Sequence, residues 1–132
     1  MHYSICQNMA FGELWFRVPE VIKIELTGEL KQGVYAKDIV LKLLRELKSD
    51  IAIYKVIEYS GPIIKNMCLS ERMVLCNMAV ELGAKSAYIQ PDEKVFQFLE
   101  GRVKKRYKVF ETDPDYVYSA EYSFDVSDLE PQ

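Results

Sequence analysis

Two side chains in "SERMVLCNMAVELGAK", Ser70 to Lys85, have the types and spacing for acid–base chemistry. Asn77 and Glu81 stand four apart, so on a helix they share one face. A carboxylate there can take up a proton or hold a water, and an amide beside it can orient a hydroxyl or a second carboxylate. Their surroundings are apolar: Met73, Val74, Leu75, Cys76, Met78, Ala79, Val80 and Leu82 crowd the same helix, and only Glu71 and Arg72 read as solvated. Ser70 reads as the N-cap, with Leu69 and Val74 able to staple the first turn, and Gly83 as a left-handed stop. Glu81 then lies at the negative end of the helix dipole, which costs roughly 0.3–1 kcal/mol. Burial without a partner would add several kcal/mol or neutralise the carboxyl. Something must compensate. Either the face is open or a basic residue meets Glu81, with Asn77 serving a buried backbone group, or both side chains point into a polar site on the surface. Spacing alone leaves both readings open.

The elements that must carry this helix follow from periodicity. "VIKIEL" alternates Ile22, Ile24 and Leu26 with Lys23 and Glu25, a half-buried strand. "TGELKQG" is a turn, and "KDIVLKLLRELK" is an amphipathic helix with Ile39, Leu43 and Leu47 on one side. Asp38 suits its first turn. "IAIYKVIEY" reads as a strand ended by Gly61-Pro62, "SAYIQ" as a short strand, and "DEKVFQFLEG" as a short helix with Phe96 and Leu99 inward. "YVYSAEYSFDV", residues 116–126, reads as a long closing strand with one wet face. Residues 1–20 read as a loosely ordered lead-in, with Pro19 stopping any helix near Val18.

The order βαβαβαβ predicts a single α/β domain over residues 1–132, a mostly parallel sheet with helices packed on it. The first and last strands alternate cleanly, so both are expected near the edge and open to antiparallel pairing. No GxGxxG or GxxxxGK[ST] follows a strand, so a dinucleotide reading has no phosphate loop behind it.

Composition excludes several classes. Hydrophobic residues make up 49% and charged residues 28% of the 132, and the net charge of -3 gives no electrostatic reason to expect nucleic acid or an anionic membrane. No apolar run approaches the roughly 20 residues of a membrane span, and the N-terminus lacks a signal peptide's basic start. Cys6, Cys68 and Cys76 form no CxxC pair, which argues against a disulfide framework or a zinc site and for a reducing cytoplasm. The only histidine is His2.

"RMVLCNMAVELGAK" resembles the aconitase superfamily segment Arg-Met-x-x-Cys-Asn-Met-Ala-x-Glu-x-Gly-Ala-Lys. "GELWFRVPE", "GVYAKDIVLKLL", "YKVIEYSGP", "PDEKVFQFLEGR" and "FDVSDLEP" are, in the same order, similar to the large subunits of 3-isopropylmalate dehydratase and homoaconitase. The resemblance covers nearly the whole chain. It implies a three-layer αβα, Rossmann-like domain of a 4Fe-4S hydro-lyase that isomerises a hydroxy-acid by dehydration and rehydration, as in leucine biosynthesis. It carries Asn77 and Glu81 onto family positions near the departing hydroxyl. Partners would be the remaining domains of the large subunit and the small subunit.

The resemblance also marks what this stretch lacks. The family's cluster cysteines lie C-terminal to the region, its Asp-Ser-His-Thr motif precedes it, and its serine base belongs to the small subunit; none is here. Cys76 lies inside the matching motif but is not a cluster ligand in the family, so no metal is expected on this chain. The family sequence continues beyond Pro131-Gln132, so the expectation is one domain of a larger enzyme, inactive alone. A stand-alone, non-catalytic binding module derived from that domain is the alternative. Val74 and Leu75 replace the usual Thr and Ile, Ser49 to Ile53 replace a Gly-containing loop, and Cys68 is unexpected.

Three further features have plainer readings. "RVKKRYK", residues 102–108, is a basic run before an acidic tail with no Lys or Arg after Lys108, and reads as a solvated connection or a domain contact. Trp15-Phe16 reads as core or an inter-domain contact. Glu58, on a strand, reads as structural.

Overall fold

Strand β1, Val21–Thr27, buries Ile22, Ile24 and Leu26 and leaves Glu25 exposed, as its alternation predicts. The computed structural model describes residues 2–13, 15–48 and 50–131. Within them β1 is joined by β2 (Val56–Ser60), β3 (Ser86–Ile89) and β4 (Ala120–Asp125) in the order β3-β2-β1-β4. All three pairings are parallel. The register sets Ile22 beside Ile57 and Ala120, and Ile24 beside Tyr59 and Tyr122, so one face of the sheet is apolar throughout.

Helix α2 (Ala36–Leu47) lays Ile39, Val40 and Leu43 into the core formed with that face. The Asp38 carboxylate accepts from the Tyr35 N–H at 2.7 Å, fixing the helix start. Helix α4 (Leu69–Met78) packs beside α2 and along β3. Helices α3 (Pro62–Asn66) and α5 (Glu93–Leu99) follow β2 and β3. The result is a parallel four-stranded α/β domain flanked by helices, consistent with the three-layer αβα arrangement implied by the resemblance.

The opposite face is polar and crossed by a strap, residues 100–119, running from α5 to β4. Tyr88 Oη donates to the Phe110 carbonyl at 2.7 Å. Thr112 Oγ1 and Tyr118 Oη donate to the buried Glu58 carboxylate at 2.8 and 3.1 Å, so Glu58 is the strap's anchor.

Several boundaries differ from the sequence reading. β1 is interior, β4 is a true edge strand and the two pair in parallel, so the expected edge position fails for β1 and the expected antiparallel pairing fails for both. Its polar alternation has another cause: Lys23 approaches Glu121 at 3.8 Å and lies over the Tyr118 ring at 5.2 Å, so the charged face meets its neighbours rather than an open edge. β2 begins only at Val56, because residues 50–54 form turns and Tyr54 takes φ +59°. Pro62, read as a strand terminator, occupies the first position of α3, where a missing N–H costs nothing. β4 is shorter than residues 116–126, since Tyr116 packs edge-on against Tyr118 within the strap. The lead-in contains a helix, α1 (His2–Phe11), ended at Gly12 with φ +68° well before Pro19.

Candidate functional site

The segment carrying Asn77 and Glu81 starts earlier than Ser70. Cys68 is the N-cap of α4, and its N–H donates to the Glu71 carboxylate at 2.9 Å. Glu71 stands three residues after Cys68, the capping-box spacing, which was the available signal. The helix is not buried all round. Arg72, Leu75, Ala79 and Leu82 form its single buried stripe, at spacings of three and four, while Met73 and Val80 face water.

Arg72, expected to be solvated, is only 3% exposed. Its Nη2 donates to Asp92 Oδ2 at 2.6 Å and to the Lys65 carbonyl at 3.2 Å. Lys94 Nζ donates to the carbonyls of Lys65, Asn66 and Met67 at 2.7, 2.9 and 3.0 Å. Two cations therefore satisfy the C-terminal carbonyls of α3, which would otherwise lack partners. Asp92, also the N-cap of α5, is held below the usual carboxylate range, first by the Arg72 hydrogen bond.

After Met78 the helix tightens into a 3-10 turn, Ala79–Leu82, closed by Gly83 in the left-handed region at φ +83°. The Gly83 N–H donates to the Val80 carbonyl at 2.9 Å and the Ala84 N–H to the Ala79 carbonyl at 3.2 Å. Asn77 therefore sits in the last turn of α4 and Glu81 in the 3-10 turn. Both are exposed, and among the described residues neither has a hydrogen-bonded or ion-paired partner. Water solvates the Glu81 carboxylate, which removes the cost that burial would have imposed.

Asn77 borders a cleft of about 380 Å³ between α4 and β3, lined also by Met73, Cys76, Ala87 and Val95. A second cleft, about 320 Å³, lies at the C-terminal ends of β2 and β3, beside Ser60, Gly61, Arg72, Gln90 and Asp92, and includes neither Asn77 nor Glu81. Its Arg72 and Asp92 are committed to each other, so it is the weaker candidate for acid–base work. Strand order reverses between β1 and β4, where doubly wound sheets bind nucleotides. There the side chains of Asp125 and Ser127 fill the space that a Cβ on Gly28 would need, and a carboxylate at that point opposes a phosphate.

Among the described residues no group of three or more His, Cys, Asp and Glu converges on a metal position. Cys6, Cys68 and Cys76 are free thiols. Burial pushes the Cys76 thiol up, away from the thiolate that a ligand must supply. These residues do not fit an iron–sulfur cluster. No helix among the described residues is long and apolar enough to cross a membrane.

Comparison with known proteins supplies the kinship. The model of the aconitase family (aconitate hydratase) matches residues 4–132. The 3-isopropylmalate dehydratase large subunit 1 of Methanopyrus kandleri is 52% identical over 123 residues, covering 93% of this chain and 29% of the relative. The large subunit 1 of the same name from Thermotoga maritima is 46% identical over 122 residues, covering 91% and 29%. The probable methanogen homoaconitase large subunit of Methanothermobacter thermautotrophicus is 43% identical over 123 residues, again 93% and 29%. The chain thus spans under a third of the length of these relatives. The matched residues and the parallel sheet agree with the resemblance read from the sequence: this chain belongs to the aconitase family, as a domain related to the large subunits of its hydro-lyases.

Proposed function

We propose that this chain contributes Asn77 and Glu81 to the active site of a hydro-lyase that interconverts hydroxy-acids, in assembly with the remaining domains of a large subunit and with a small subunit. The observation that carries this reading is the exposed, unpartnered amide and carboxylate, Asn77 in the last turn of α4 and Glu81 in the 3-10 turn that Gly83 closes. Hydroxide is a poor leaving group. Glu81 passes a proton to the hydroxyl as the C–O bond breaks, so the group departs as water. The neighbouring C–H proton goes to a base that this chain does not supply, and the C–H electrons form the C=C bond. In rehydration Glu81 takes the proton back from the incoming water. Asn77 orients the hydroxyl or an adjacent carboxylate. The family's 4Fe-4S cluster would be held elsewhere in the assembly, and this chain's share of the chemistry does not pass through it.

A domain made to be covered leaves apolar surface behind. Met9, Phe11, Trp15, Phe16 and Val18 are exposed on the lead-in, which supports an assembled role over a stand-alone module. The unpaired thiols suit the cytoplasm.

The test is recovery of the tagged chain from its native source under anaerobic conditions, followed by assay of the assembly on 3-isopropylmalate and homologous hydroxy-acids. A complex with larger polypeptides and dehydratase turnover is expected. Glu81→Gln should cut kcat by about 10²–10⁴, and Asn77→Ala by less. Turnover unchanged in both variants overturns the site assignment; recovery of the chain alone, without turnover, favours the binding module.

A further inference from the structure

The turn that carries Glu81 is also held from outside its own helix. Gly83 closes it from within. From without, the carbonyl of Leu82, the residue after Glu81, accepts from the Ala52 N–H at 3.1 Å. Beyond Gly83, the Lys85 N–H donates to the Lys55 carbonyl at 2.8 Å, and Lys85 Nζ lies over the Tyr54 ring, 4.7 Å from its centroid. The residues that reach across, 52–55, lie between α2 and β2. Ala52 is fully buried, and its carbonyl accepts from the Lys55 N–H at 2.9 Å, so the donor that meets Leu82 is itself fixed. The Leu82 side chain is fully buried as well. Glu81 is thus an exposed side chain on a backbone gripped, just past it, by a separate loop. One residue of that loop is strained. Tyr54 takes φ +59°, a region that favours glycine. Glycine would lose the ring, and the ring is what meets Lys85. Strain of this kind persists only where surrounding contacts fix it, and it collects at functional sites.

We propose that Tyr54 is a positioning residue for Glu81. Its ring, through Lys85, and the Ala52 N–H on the Leu82 carbonyl together set where the carboxylate stands relative to the departing hydroxyl. Tyr54 acts through the exit of the turn and not on the carboxylate itself. This role rests on the chemistry proposed above for Glu81. It differs from a purely stabilising one in a way that can be measured. Tyr54→Gly relieves the backbone and removes the ring. Those effects oppose each other in overall stability, and both loosen the grip on the turn.

The test compares variants in the assembled enzyme and in the free chain. In the assembled enzyme Tyr54→Gly should lower kcat about ten- to a hundredfold, the scale of a small misplacement of a reacting group, and leave KM for the hydroxy-acid nearly unchanged. Lys85→Met should do the same, and Tyr54→Phe, which keeps the ring, should turn over as wild type. In the free chain, hydrogen exchange at the Gly83 and Ala84 amides should quicken in Tyr54→Gly while Ile24 and Ile57 in the sheet stay protected. Wild-type kcat in Tyr54→Gly beside an inactive Glu81→Gln overturns the positioning role alone. So does a loss of protection that spreads across the sheet, or a Tyr54→Phe variant as slow as Tyr54→Gly. Turnover untouched by Glu81→Gln overturns the reading of Glu81, and this role with it.

Discussion

Arg72 and Asp92 are unequal partners. The arginine side chain is 4% exposed and the aspartate 38%. Removing Asp92 leaves a charge in a site that excludes water, whereas removing Arg72 leaves a carboxylate that water can reach. Asp92→Ala should therefore destabilise the domain by about 3 kcal/mol, in the range for breaking a buried pair, and Arg72→Met by distinctly less. Urea unfolding of the two variants checks the order. The same pair sets a pH dependence. Because Asp92's folded pKa is lowered, first by its hydrogen bond from Arg72, its contribution is complete above the ordinary aspartate pKa and is lost as pH falls through the lower folded value. The melting temperature should fall in that acid window, and Arg72→Met should flatten the slope there. None of this was legible from residue type alone. Arg72 beside Glu71 reads as a solvated first turn. Only the spacing with Leu75, Ala79 and Leu82 reveals the buried stripe, and its carboxylate partner lies 20 residues away in sequence.

At the scale of the element, the turn that carries Glu81 depends on Gly83. A side chain at φ +83° meets the left-handed penalty, so Gly83→Ala should cost about 1–2 kcal/mol, measurable by thermal unfolding. Assay of that variant in the assembled enzyme would also register any shift of Glu81. Gly83 was readable because glycine at a helix end has one dominant reason to be there. The change from α-helix to 3-10 turn after Met78 was not, since Ala79 to Leu82 suit either geometry. The number of strands was likewise plain, from alternation in β1 and β4 and from residue type and turn signals in β2 and β3. Their order was misread at β1, because alternation reports one polar face and cannot say whether water or a charged strand lies against it. Asn77 and Glu81 were singled out as candidates by type and spacing. Their exposure was not legible, because apolar neighbours such as Met73 and Val80 suggested a buried helix although both point outward.

For the molecule as a whole, the exposed lead-in carries a built-in reporter. Trp15, the only tryptophan, is 78% exposed. The free chain should show red-shifted, easily quenched indole emission, which moves to the blue and resists quenching once the lead-in is covered by another polypeptide. Titration with the assembly's other components checks this, and an unchanged spectrum in an assembled complex would place the contact elsewhere. The α/β class and the kinship were legible over the whole chain. The strap was seen as a basic run and an acidic tail, because the pinning of its midpoint depends on contacts with β2 and β3 that no local pattern encodes. The placement of β4 beside β1 also bears on how the chain is made. The backbone bond from Ser119 to Val21, whose residues lie 98 apart, opens the ladder between the two strands. On the ribosome β1 can acquire β2 early, but its other edge stays unsatisfied until Ala120–Asp125 emerges some hundred residues later. This is the costly long-range closure that slows folding and exposes strand edges to wrong partners. Nascent chains stalled before β4 are therefore the species for which chaperone capture and edge-to-edge aggregation compete.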